Sequence, residues 1–137
     1  MRRDLQNVAR DIWSLALKDD RPTGPEMQQR YGLNESQYNG VKRHVRELAA
    51  EAGILWGLYP PTGRYLAISP SLTGIAGAIL DYQLRHWQEE GYSTKLTVRA
   101  AARQGLITFE SSNQVDSLAD EFDKRIDRLR RDIQDGS

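Results

Sequence analysis

Residues 23–68 read TGPEMQQRYGLNESQYNGVKRHVRELAAEAGILWGLYPPTGRYLAI, and the order of breakers and apolar repeats in that stretch decides the fold. Pro25 suits a first helical turn, where the missing N–H would have no intrahelical acceptor and the fixed φ is already helical. The helix it opens, residues 25–31, has only Met27 and Tyr31 to bury and must be held by its neighbours. Gly32 accepts the positive φ of a sharp helix exit, and Asn34 can cap the next helix by accepting from its first N–H groups. A long helix then runs to Gly53, with Tyr38, Val41, Val45, Leu48 and Ala52 on one core-facing stripe. Branched and aromatic residues at 54–59 and 64–69 flank the turn Pro60-Pro61-Thr62-Gly63 and predict a β-hairpin.

Short helix, glycine-containing turn, long helix and hairpin together predict a winged helix-turn-helix. The expected fold is mainly α, with residues 1–69 forming that domain and residues 70–137 a helical extension for self-association. On such a fold the outer face of the third helix enters the major groove of DNA. Amides can read adenine there and arginine can read guanine through two hydrogen bonds, so Ser36, Gln37, Asn39, Gly40 and Arg43 are the groove-facing candidates. Lys42, Arg46, Arg2 and Arg3 are assigned to phosphates, and Arg64, beside the hairpin tip, to a phosphate or the minor groove. Gly40 costs about 1 kcal/mol relative to alanine in a helix interior, so either something approaches the backbone there or the loss is tolerated. A solvated helix face carries the same residue types, and His44 reads as such a surface residue. Trp56 and Tyr59 read as packing residues.

Residues 25–68 resemble the DNA-binding half of winged-helix bacterial regulators. Pro25-Glu26-Met27-Gln28-Gln29-Arg30-Tyr31-Gly32-Leu33 is similar to the opening of a GntR-type domain. Leu48-Ala49-Ala50-Glu51-Ala52-Gly53-Ile54, with Gly63-Arg64-Tyr65-Leu66, resembles that family's helix end and wing. After the turn such regulators usually have a serine-arginine pair, where this chain has Asn34-Glu35. The resemblance implies a DNA-binding transcriptional regulator.

The flanking sequence is helical in pattern. Leu5, Val8, Ile12 and Leu15 give residues 4–17 one buried face, with Asp4 as N-cap. Leu72, Ile75, Ile79, Leu84 and Trp87 trace another helix to about Glu90, which Gly91 is expected to end. In residues 94–104 Leu96 and Val98 alternate as a strand would, but Val98 through Arg103 reads better as a short helix stopped by Gly105. A last helix is expected from Ser111 or Ser112 to about Asp135. Its stripe of Val115, Leu118, Phe122, Ile126, Leu129 and Ile133 is to be buried in its own domain or against a partner chain, and because it is broader than a two-position seam, oligomerisation through a helical bundle is favoured over a two-stranded coil. A homodimer would match two DNA half-sites.

Composition narrows the classes. The 137 residues contain 19 basic and 19 acidic side chains and no cysteine. Residues 1–70 carry ten Lys/Arg against eight Asp/Glu and residues 71–137 nine against eleven, a mild asymmetry that predicts weak non-specific DNA affinity. Without cysteine there are no disulfides and no thiolate chemistry, which fits a reducing compartment. The basic Met1-Arg2-Arg3-Asp4 leads into a pattern with Asp11, Asp19 and Asp20 rather than a signal peptide, and no apolar run approaches the ~20 residues of a membrane span. The expectation is a cytoplasmic protein with no membrane role. His44 and His86 fall on different helices, and no phosphate loop, nucleophile elbow or close carboxylate pair appears, so no enzyme activity, cofactor or metal is expected. Net neutrality and Glu35 also suit a protein-interaction module, for example a phage-encoded inhibitor or adaptor of a host protein. A replication or packaging accessory protein is a third reading.

Overall fold

The computed structural model describes residues 4–68 and 73–136. The chain is mainly helical, 76%, with one two-stranded antiparallel hairpin. The order is α1 (Leu5–Leu17), α2 (Gly24–Tyr31), α3 (Glu35–Ala52), β1 (Leu55–Tyr59), β2 (Arg64–Ile68), α4 (Thr73–Arg103) and α5 (Phe109–Gly136). Packing divides it into two units, Met1–Ile79 and Leu80–Ser137. The division falls inside α4.

In the first unit the helix ends follow local chemistry. Asp4 caps α1 by accepting from the N–H groups of Gln6 and Asn7. Thr23 and Glu26 form a reciprocal capping box on α2, Asn34 and Gln37 another on α3, and Gly32 turns out of α2 at φ 61°. Such caps are worth about 1 kcal/mol each. Val8, Ala9 and Ile12 of α1, Met27 of α2 and Val41 and Val45 of α3 are all buried in one core. The stripe of α3 closes with Ala49, at 4% exposure. Ala52, expected to complete it, is exposed and Leu48 is half-buried, because four-residue steps from Val41 keep the inward face better than the run to Ala52 does.

The hairpin pairs Leu55 with Ile68 and Tyr59 with Arg64. Alternation sends Trp56, Leu58, Tyr65 and Ala67 to the α1–α3 core and leaves Leu66, Ile68, Leu55 and Tyr59 for a second cluster with Ile75, Ala76 and Ile79 at the start of α4. Side chains on a strand point to opposite faces in turn, so a sheet with apolar residues on both must be covered twice. The outer edge of β2 is also occupied: Tyr65 N–H donates to the Pro22 carbonyl at 2.9 Å, and Thr23 bridges Arg64. Trp56 stacks on Tyr65 with ring centroids 4.8 Å apart.

The second unit corrects two expectations. Gly91 does not end a helix, and the short helix expected from Val98 is not a separate one: α4 runs unbroken to Arg103. Phe122 of α5 lies against Gly91, and the Thr94 and Thr97 hydroxyls donate to the carbonyls of Glu90 and Ser93 one turn back, at 2.9 and 3.0 Å. Packing against Phe122 thus outweighs glycine's propensity cost of about 1 kcal/mol. Gly105, at φ 78°, makes the turn, and Thr108 caps α5 by accepting from Ser111 N–H at 3.1 Å. The last helix therefore begins at Phe109 and has 28 residues. Asp81 pairs with Arg130 at 2.7 Å, Lys95 with Asp120 at 2.8 Å and Arg99 with Asp116 at 3.1 Å. Partners fall along α5 as they rise along α4, so the two helices are antiparallel. Among the described residues no helix is long and apolar enough to cross a membrane.

Candidate nucleic-acid interface

Opposite the buried stripe, α3 exposes Ser36, Asn39, Arg43 and Arg46. Steps of three, four and three residues put them on one face. Ten residues at 1.5 Å make that face ~15 Å long. The α2–α3 turn delivers it: Leu33 is 8% exposed and anchors the turn, while Glu35 Oε1 accepts from Gln28 Nε2 at 2.8 Å. The carboxylate placed just after the turn thus ties α3 to α2 and lies in the first turn of α3, where the helix dipole favours a negative charge.

Three other expected contacts lie elsewhere. Gln37 is half-buried, and its Oε1 accepts from Asn34 N–H at 3.0 Å in the capping box. Gly40 faces α1: an added Cβ would stand 3.4 Å from Leu5 Cδ1. That is ordinary van der Waals contact, so the packing accommodates a Cβ there, and glycine is tolerated at its propensity cost rather than required by a close approach. Lys42 lies back over the Tyr38 ring, its nitrogen 4.1 Å from the centroid. Burial, and then the charge of Arg46, hold the Lys42 ammonium below its usual pKa, while burial and the hydroxyl of Tyr65 push the Tyr38 phenol up. The two phenols meet at 3.2 Å inside the core.

Arg64 also departs from its expected place. Its Nη1 donates to the Arg21 carbonyl at 2.7 Å and lies 3.7 Å from Glu26. The side chain braces the start of α2 instead of extending from the hairpin tip, because the bridge to Thr23 holds its backbone beside that carboxylate. Arg2 and Arg3 lie outside the described residues.

Half of the described Lys and Arg side chains of this unit are ion-paired. Arg21 pairs with Asp19 at 2.7 Å, Arg30 with Asp20 at 2.9 Å and Arg43, loosely, with Glu47 at 3.9 Å. No ion pair among the described residues engages Arg46. Beside Arg46 the surface dips into a groove of about 290 Å³, floored by Ala49, Ile54 and Trp56. Sequence reading missed this groove; the small Ala49 and Ala50 ahead of Gly53 are the signal that points to it. A smaller hollow of about 180 Å³ between α1 and α3 holds Arg10, His44 and Glu51. His44 lies 3.6 Å from Glu47 and is 22% exposed. No group of three or more metal-ligating side chains occurs among the described residues.

The hydroxyl, amide and two guanidiniums of the α3 face offer hydrogen-bond donors at a spacing suited to base edges and phosphates. No protein-family model, curated protein or solved structure matches this chain.

Proposed function

We propose that the chain binds double-stranded DNA sequence-specifically, as a small cytoplasmic transcriptional regulator of prokaryotic or phage type. In this reading α2, the Gly32 turn and α3 are a helix-turn-helix, β1–β2 is the wing, and the unit belongs with GntR-like winged helices. The supporting observation is the exposed stripe of Ser36, Asn39, Arg43 and Arg46 on the second helix of that pair, opposite a fully buried face. Arg43 reads guanine, Asn39 adenine, and Arg46 neutralises a phosphate. Because Arg64 is engaged by Glu26, specificity rests on α3 rather than on the wing.

Selection from random duplex DNA at two salt concentrations tests the reading. An enriched motif is expected, with Arg43→Ala losing about 1–3 kcal/mol and relaxing preference at one base pair. Equal affinity of mutant and parent for the selected site removes Arg43 from the role. The ion pairs of Arg21 and Arg30 and the engagement of Arg64 by Glu26 support a second reading, a protein-interaction module on the same scaffold. Absence of retention on DNA at low salt, where phosphate contacts are strongest, would favour it.

A further inference from the structure

The end of α3 and the start of β1 enclose the groove of about 290 Å³ beside Arg46. Its apolar walls are Ala49, Ala50, Ile54, Leu55 and Trp56, all within the first unit. The last carbonyls of α3 are already satisfied there: Gly53 N–H donates to Ala50 at 3.1 Å and Ile54 N–H to Ala49 at 3.0 Å. Arg46 is the one charged side chain lining the groove. It is exposed, and among the described residues no ion pair holds it.

We propose that this groove binds an alkyl carboxylate of medium chain length, its anionic head on Arg46 and its chain across the alanines and Ile54. Charge selects the head, because the parallel N–H groups of a guanidinium match the two oxygens of a carboxylate. The walls select the chain. A polar body would give up its water without finding partners. An aromatic ring would find little to stack on, since Trp56 is 5% exposed and already lies against Tyr65. Volume sets the length: at the ~30 Å³ that a water molecule occupies, the groove has room for about ten non-hydrogen atoms, the number in octanoate. Arg46 serves two surfaces, since it lines the groove and also ends the exposed stripe of α3. A carboxylate bound to it withdraws it from a DNA phosphate. That consequence rests on the DNA-binding reading, whereas the site itself does not.

Titration of the ¹⁵N-labelled full chain with octanoate tests the site in the absence of DNA. The amide signals of Gly53 and Ile54 are expected to shift and to saturate with a dissociation constant of ~1 mM or below, within the range for a ligand of that size. Octanamide, which has the chain without the charge, should bind about 5-fold more weakly. Arg46→Gln should weaken octanoate by the same ~5-fold, the upper range for an exposed ion pair. Ala50→Leu should weaken it by narrowing the groove with Arg46 intact. Both substitutions fall at exposed helical positions, where the fold tolerates them. Gly53 and Ile54 unmoved at ~10 mM octanoate, ten times the expected constant, overturn the proposal. So does octanamide binding as well as octanoate, or octanoate binding unchanged in both variants. On the selected duplex, saturating octanoate should lower the affinity of the chain relative to an equal concentration of sodium acetate, which matches its ionic strength; unchanged affinity overturns the sharing of Arg46. A chain that takes octanoate but is not retained on DNA supports the site and removes the DNA-binding reading, and one that holds DNA but takes no octanoate does the reverse.

Discussion

Replacing Gly57 by alanine adds one methyl group, and its effect follows from one distance. A Cβ at Gly57 would stand 2.6 Å from Ile79 Cγ2, so ordinary van der Waals contact requires a movement of about 1 Å. Ile79 cannot easily move. It is 3% exposed, sits against Leu66 and Ile68, and is stiff at χ1 because it is branched at Cβ. Overpacking of this kind costs about 1–3 kcal/mol. Removing a glycine from a strand returns roughly 0.5–1 kcal/mol, so a net loss of about 0.5–2 kcal/mol is expected. With m near ~2 kcal/mol/M, the urea midpoint should fall by about 0.3–1 M. Fluorescence of Trp13 and Trp56 reports on this unit if Trp87→Phe is carried throughout. Ile79→Ala alone should cost about 2–5 kcal/mol, but in the Gly57→Ala background the new methyl occupies part of the vacated space. The cycle should therefore show coupling beyond the ~0.5 kcal/mol scatter of independent sites. Gly57→Ala as stable as its parent, or an additive cycle, would refute the seating of Ile79 on the sheet.

Two further outcomes probe other parts of the molecule. Gly91→Ala should act oppositely: its Cβ would make ordinary contact with the Phe122 ring at 3.6 Å, so the helix-propensity gain of about 0.5–1 kcal/mol should appear as a higher melting temperature; a loss would mean that Phe122 needs the space. The Tyr31 phenol, half-buried and donating a hydrogen bond to Asp11, is pushed up from 10.0 to about 12, with loss of solvent the larger cause. The unfolded chain releases that proton first, so this contribution is complete below pH 10 and is lost as pH rises toward 12. Urea titrations across that range should show falling stability, with a shallower slope in Tyr31→Phe; an unchanged slope would remove Tyr31 as the cause.

Much of the first unit was legible because its instructions are local. Thr23 with Glu26, and Asn34 with Gln37, act across three residues, and Gly32 and Gly53 bring their own positive φ. The exposed part of the candidate site was legible for the same reason, since Ser36, Asn39, Arg43 and Arg46 follow from helical spacing opposite a buried stripe. The misplacements share one cause. Gln37, Gly40, Lys42 and Arg64 are polar or small on paper, yet each is engaged by a partner: an N-cap, Leu5 of α1, the Tyr38 ring, and Glu26 with the Arg21 carbonyl. For Leu5, Glu26 and Arg21 the contact crosses elements, and composition does not announce it.

The C-terminal half divides the same way. Periodicity alone announced a helix to about Glu90, a short helix from Val98 stopped by Gly105, and a last amphipathic helix. Whether Gly91 breaks the first of them was settled by Phe122, which reaches it from 31 positions away. Which apolar residues stay uncovered was settled by the antiparallel pairing, which buries Ile126 to 2% and leaves Leu118 at 67% on the same stripe. Caps, turns and repeats depend on hydrogen bonds and rotamers within a few residues and are written into the chain. The covering of a face is a property of what packs on it, and that comes into being only when distant segments meet.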